Sequence, residues 1–251
     1  MHDEASVNIA AVKRMHEADD LPVAASLHCL SHALNNVGEH LTYPCVQDFK
    51  KDWHQLMAHS ENAKRLYREM VGRSPPNITN FIRWYVSWEE SRDLYRDWAY
   101  LRPFLEALTA DSSSNAAASC LKHLKSDEVW TIYFGLLVIT EHGRELCKTC
   151  YFFEGDGFLF PFAEKKLLDC LAALDPTHSF TTKEEECMKY YAQCNQCQIS
   201  TIKPIWSGIR NIILSQAHEY LQQMMPENPP APNDFKGKIR CCTMRYCLTL
   251  S

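Results

Sequence analysis

Two stretches decide how this chain is read: His28-Cys29-Leu-Ser-His32-Ala-Leu-Asn-Asn-Val-Gly38 and, downstream, Asn80-Phe-Ile-Arg83-Trp84-Tyr-Val-Ser-Trp88-Glu89. The first sets a Cys-x-x-His at the opening of a helical run. The second sets an Arg-Trp pair at the head of another. Between them apolar residues recur at steps of three and four, the spacing that lines up one face of a helix. Val46, Phe49, Trp53, Leu56 and Met57 make one stripe, and Ala63, Leu66, Tyr67 and Met70 make the next. Ser60 stands where the second helix needs an N-cap. Along its outer face Glu61, Arg65, Glu69 and Arg73 alternate in sign every four residues, which supports a solvated helix. Ser74-Pro75-Pro76 ends it.

Outward from this stretch the pattern stays helical downstream and changes upstream. A run carrying Trp84, Trp88, Tyr95 and Trp98 continues past Pro103 through Phe104, Leu105 and Leu108, and Asp111-Ser-Ser-Ser-Asn115 is the most evident loop. Periodicity predicts helices over 116–125, 127–152, 162–174, 183–194 and 203–225, with Ser126 as N-cap of the second and Asp127 and Glu128 in its first turn. Glu154-Gly-Asp-Gly157 reads as a turn, and Pro226-Glu-Asn-Pro-Pro-Ala-Pro232 as a break. Upstream, 7–15 reads as a helix with Ile9, Val12 and Met15 on one face, stopped by Asp19-Asp20-Leu-Pro22. Val23-Ala-Ala-Ser-Leu27 then reads as a short strand delivering Cys29. The expected organisation is an α/β segment over 1–44, a helical segment over 45–226 and an irregular tail over 227–251.

Composition narrows the function classes. With 251 residues, 46% of them hydrophobic and 11% aromatic, the chain can bury a sizeable core and is not a disordered one. No basic start leads into an apolar run, and no stretch approaches the roughly 18 apolar residues of a membrane span. A soluble, intracellular chain with no membrane partner is expected. Twelve cysteines in a long, helix-rich chain point to reduced thiols buried as small hydrophobes rather than to a secreted disulfide scaffold. The net charge of −5 hides an asymmetry: 111–186 carry 7 Lys/Arg against 13 Asp/Glu, whereas 187–251 carry 7 against 3, and 45–76 carry 6 against 4. A surface for phosphates therefore has to be local. Eight glycines leave little room for a phosphate-binding loop.

Three motifs carry chemistry. Cys29 and His32 have metal-like spacing, but tetrahedral zinc needs four ligands and nothing nearby completes the set. Their residue types suit a core thiol and a hydrogen-bonded imidazole. Cys147-Lys-Thr-Cys150 and Cys194-Asn-Gln-Cys197 are farther apart than the two halves of a zinc ribbon, and neither has the glycine that turns amides toward sulfur. Both sit in helical pattern, where positions i and i+3 face one way, so core or groove cysteines are expected and no metal site. For Arg83 and Trp84 two readings stand. An indole face can replace the stacking of a base and a guanidinium matches phosphate oxygens; alternatively Trp84 is one of the aromatics of a helix core, since Trp88, Tyr95 and Trp98 share its stripe.

Taken together and in this order, the motifs resemble the hAT superfamily of transposases. The resemblance runs from about Asp3 to the Phe235-Lys-Gly-Lys-Ile-Arg240 segment. It implies a mainly α fold: a helical insertion domain attached to an incomplete ribonuclease-H-like α/β stub. His2-Asp3-Glu4-Ala5-Ser6-Val7-Asn8 is similar to the family's Asp-x-Ala-x-x-Asn stretch, which holds the second of three catalytic carboxylates. Three are needed because two divalent ions must be held side by side, one at the attacking hydroxyl and one at the leaving oxygen. One acid cannot hold that pair, so Asp3 is expected to be vestigial, Mg²⁺ to belong only to an intact member, and strand cleavage to be absent. The resemblance assigns Cys29 and His32 to the active-site edge. It assigns Arg83 and Trp84 to nucleic-acid binding, the Trp stacking on a flipped base. The helix bearing Cys147 and Cys150 and the turn after it look like a standard part of the inserted domain. DNA is the implied partner, in the nucleus. The alternatives are a helical protein-interaction module without nucleic-acid binding, or a transposon-derived fragment with no selected function; a homo-oligomer or a helical protein partner, and a cytoplasmic location, are the other expectations.

Overall fold

The computed structural model describes residues 30–76, 84–111, 114–154 and 162–224. Every regular element among them is a helix: α1 (Leu30–Glu39), α2 (Pro44–His59), α3 (Glu61–Val71), α4 (Trp84–Arg96), α5 (Trp98–Asp111), α6 (Asn115–Lys125), α7 (Val129–Glu154), α8 (Ala163–Leu174), α9 (Thr182–Cys194) and α10 (Ile199–Met224). Over these residues the chain is mainly α, and no helix among them is long and apolar enough to cross a membrane. The helix expected over 7–15, the strand over 23–27, the turn after Glu154 and the 227–251 tail lie outside the described residues, and with them the α/β part of the expected fold.

Local sequence explains most boundaries. Pro44 opens α2, a position where its missing N–H costs nothing. Val46, Phe49, Trp53, Leu56 and Met57 are all buried, so α2 buries the stripe its spacing predicts. Ser60 ends α2 and caps α3, its Oγ accepting the Ala63 N–H at 3.1 Å. Gly72 closes α3 in the left-handed region (φ 76°), its N–H returned to the Arg68 carbonyl at 2.9 Å. On the outer face Arg65 pairs with Glu69 at 2.6 Å, but Arg73 leaves the alternating row and reaches Asp97.

That contact belongs to a break which periodicity did not predict. The apolar run after Trp84 is two helices, α4 and α5, parted at Asp97. Asp97 is completely buried and accepts from Tyr67 Oη at 2.6 Å, Arg73 Nε at 3.2 Å and Arg96 Nε at 3.1 Å. A buried carboxylate has to be paired and hydrogen-bonded, and α3 supplies the phenol. Pro103, by contrast, sits inside α5 without ending it. The second difference is at Ser126, which terminates α6 instead of heading a helix at 127. Its backbone N–H and Oγ both donate to the His123 carbonyl while Oγ accepts the Glu128 N–H, and α7 starts at Val129.

α7 is the axis of the molecule. It is buried on most of its circumference and packs against α1, α2, α4, α6, α8, α9 and α10. Hydrophobic residues from Ala33 on α1 to Leu221 on α10 form one contiguous core. α1, which sequence reading groups with the α/β segment, contributes Ala33, Leu34 and Val37 to it.

Candidate functional site

Of the residues that carry the resemblance, Trp84 is described in full. Asp3, Cys29 and Arg83 lie outside the described residues, as does the side chain of His32, although its backbone is in α1. Leu30 is the first described residue of α1, and Trp84 the first of α4. The two helices pack directly on each other. Asn35, buried on α1, accepts the backbone N–H of Trp84 on its Oδ1.

The Trp84 indole is only 6% exposed. It lies in a slot between glycines of two helices. A Cβ on Gly38 of α1 would overlap the ring, and a Cβ on Gly143 of α7 would come within 2.8 Å of Trp84 Cη2, 2.8 Å of Trp88 Cδ1 and 2.9 Å of Leu41 Cδ2. Trp88 is buried beside it and donates its Nε1–H to the Thr140 carbonyl at 3.2 Å. Two indoles thus hold α4 on the α7 axis. The rim position expected of a base-stacking tryptophan is not the one Trp84 occupies among the described residues.

Trp84 also lines one end of a groove of about 630 Å³ between α1, α2 and α4, with Gln47, Lys51 and Ser87 among its walls. Lys50 of α2 also lines it. The Lys50 ammonium donates to the Ser87 carbonyl at 2.8 Å, Ser87 Oγ at 2.6 Å and Ser91 Oγ at 2.9 Å, and stands 3.2 Å from Glu90 Oε2. His54 Nε2 lies 2.5 Å from the other carboxylate oxygen of Glu90. Each carboxylate oxygen of Glu90 thus faces a basic side chain of α2. Burial pushes the Lys50 amine below the ordinary lysine range, against the opposing pull of Glu90. The network links α2 to α4, whose backbones scarcely approach each other elsewhere. Lys51 is exposed at the groove, with Glu39 and Asp48 on the same lining, so the groove presents both signs of charge. It can bind a polar ligand.

A second buried cluster ties the other side of the molecule together. Glu184 is completely buried and His142 and Arg210 nearly so. His142 Nε2 is 3.0 Å from Glu184 Oε1 and its Nδ1 is 2.8 Å from the Ala173 carbonyl, while Arg210 Nε donates to Glu184 Oε1 at 3.2 Å and Nη1 to the carbonyls of Pro176 and His178 at 3.0 and 3.1 Å. Glu184 also completes a capping box with Thr181, accepting its backbone N–H at 2.6 Å. Burial pushes the Glu184 carboxyl up, but His142, the Thr181 N–H and Arg210 outweigh it and hold the group below its ordinary range. One carboxylate thereby joins α7, α9, α10 and the loop after α8, a structural role.

The cysteine pairs part company. Cys147 and Cys150 are buried in α7, as their spacing predicts, whereas Cys194 is exposed and Cys197 half-buried beyond the end of α9. Among the described residues no three His, Cys, Asp or Glu side chains gather into a group that could hold a metal ion. Sequence reading missed Lys50, Glu90 and His54, whose alliance across α2 and α4 has no local signature. It also passed over Glu184, which Thr181-x-x-Glu184 announces as a capping box. No protein-family model, curated protein or solved structure matches the chain.

Proposed function

We propose that this chain carries the helical insertion domain of a hAT-like, transposase-derived protein and binds DNA at the groove between α1, α2 and α4. One observation carries the proposal: α1, which includes His32, packs on α4, which includes Trp84, and the groove beside that junction holds Lys50 and Lys51. Lys51 is the side chain placed to meet a phosphate, while Lys50 is committed to Ser87, Ser91 and Glu90. A nuclear location belongs to this reading. Anisotropy titrations with splayed-end and fully paired duplexes at several salt concentrations test it. Wild type should bind, losing affinity as salt rises because released counterions oppose binding. Lys51→Glu, an exposed change that leaves the core alone, should weaken binding and lower the salt slope by about one or two. No affinity for either DNA at low salt overturns the proposal.

The burial of Trp84 favours a second reading, a helical protein-interaction module whose Arg-Trp pair serves packing. Ile205 and Ile212 stand exposed on α10. Under that reading Lys51→Glu is without effect on any DNA, and the surface that matters is the exposed face of α10.

A further inference from the structure

Lys50 Nζ and Ser87 Oγ stand 2.6 Å apart, and both residues line the groove between α1, α2 and α4. That is hydrogen-bond reach, the separation at which a base can take the proton of a hydroxyl nucleophile. The contact joins two helices and is held from several sides. Lys50 Nζ also meets the Ser87 carbonyl at 2.8 Å and Ser91 Oγ at 2.9 Å, and Ser91 Oγ donates in turn to the Ser87 carbonyl at 2.9 Å. Ser91 is completely buried and Ser87 half-buried, which makes Ser87 the more accessible hydroxyl of the two. A lysine acts as a general base only if its amine gives up its proton readily. Burial pushes the Lys50 amine in that direction. Glu90 opposes it from 3.2 Å, but the same carboxylate is shared with His54, 2.5 Å from its other oxygen. The groove of about 630 Å³ is of the size that holds a small organic ligand, with Leu41, Val46 and Trp84 as apolar walls.

We propose that Ser87 and Lys50 form a serine–lysine dyad that hydrolyses small carboxylic esters bound in the groove. Ser87 Oγ attacks the carbonyl carbon of the ester, and its proton passes to Lys50 Nζ. The carbonyl electron pair moves onto oxygen, where Gln47 and Lys51, on the same lining, are donors available to it. As the carbonyl re-forms, the bond to the alkoxy oxygen breaks, Lys50 returns the proton to that oxygen, and the alcohol leaves the acyl group esterified to Ser87. Water then takes the place of the alcohol. Lys50 accepts a proton from it, its oxygen adds to the acyl carbon, and the carboxylic acid leaves as the proton returns to Ser87 Oγ. This activity is independent of DNA binding at the groove, and its test contains no DNA.

The full chain treated with an alkyl fluorophosphonate provides the test, because an activated serine attacks that probe at phosphorus, forming the Oγ–P bond and expelling fluoride. The tryptic peptide from Trp84 to Arg92 contains Ser87 and Ser91 as its only serines. Fragmentation should place the phosphonyl group on Ser87 in the folded chain and not in the chain unfolded in urea. Lys50→Arg keeps a cation beside Glu90 but cannot act as a base, and should slow the labelling by about 100-fold. Ser91→Ala leaves the dyad in place and should still label. Wild type should release p-nitrophenol from p-nitrophenyl acetate faster than Ser87→Ala, in which Lys50 keeps its bonds to the Ser87 carbonyl and to Ser91. Circular dichroism checks that each variant is folded. The proposal is overturned if the folded wild type leaves Ser87 unlabelled, or if folded Lys50→Arg labels at the wild-type rate. Equal acetate hydrolysis by wild type and Ser87→Ala overturns it as well.

Discussion

At Gly143 a methyl group would stand 2.8 Å from Trp84 and from Trp88, and both rings are already fixed, Trp88 by its bond to the Thr140 carbonyl. The site therefore cannot relax by rotating the end of a flexible chain. Gly143→Val should cost about 1–3 kcal/mol by overpacking, and Trp84→Ala about 3–5 kcal/mol by emptying the slot. Urea unfolding of each variant without DNA measures both, and an unchanged midpoint for Trp84→Ala would contradict the burial. A loss of DNA affinity in Trp84→Ala says nothing by itself about stacking on a base, which is why Lys51 is the better probe of the groove. Sequence reading identified Trp84 as either a base-stacking or a core residue. It could not choose, because the partners that decide, Gly38 and Gly143, are remote in sequence and carry no side chain to advertise a slot. The exposed Cys194 was misread for the opposite reason: helical spacing suggested a buried face, and the helix ends at that very residue.

Between helices, charge does what apolar stripes do within them. Lys50, His54 and Glu90 hold α2 to α4 at positions where both Lys50 and Glu90 are nearly dry, 12% and 3% exposed. Removing Lys50 leaves buried Glu90 with His54 as its neighbour, so Lys50→Met should cost up to about 3 kcal/mol. Lys50→Met combined with Glu90→Leu should cost well below the sum of the two single variants. Additive single costs in denaturant unfolding would show that the contact is incidental. The Glu184 cluster makes a pH prediction. Its carboxyl is held below the ordinary 4.5 in the folded chain, so its ionised form stabilises the fold above that value, and the contribution is lost as pH falls through the lower folded value. The unfolding free energy that separates wild type from Glu184→Gln should be largest near neutrality and shrink below pH 4.5. A difference independent of pH would contradict the assignment. The stripes of α2 and α3 and the Ser60 cap were legible because they are local patterns. The break at Asp97 was not, because the buried carboxylate answers to Tyr67 and Arg73 on the far side of the 77–83 stretch.

Across the molecule, α7 packs against seven of the other described helices, and α1, which includes His32, and α4, which includes Trp84, meet on it. The proposed DNA contact sits at that meeting point, on a chain with a net charge of −5, so any affinity must come from local groups rather than from long-range attraction. Hydrogen–deuterium exchange of the full chain, with and without a splayed-end duplex at low salt, tests the central claim most directly. The account predicts slowed exchange in peptides covering 38–51 and 84–91, which wall the groove, with no change along 199–216 of α10. Protection confined to α10, or none in the groove at DNA concentrations that saturate anisotropy, would contradict it.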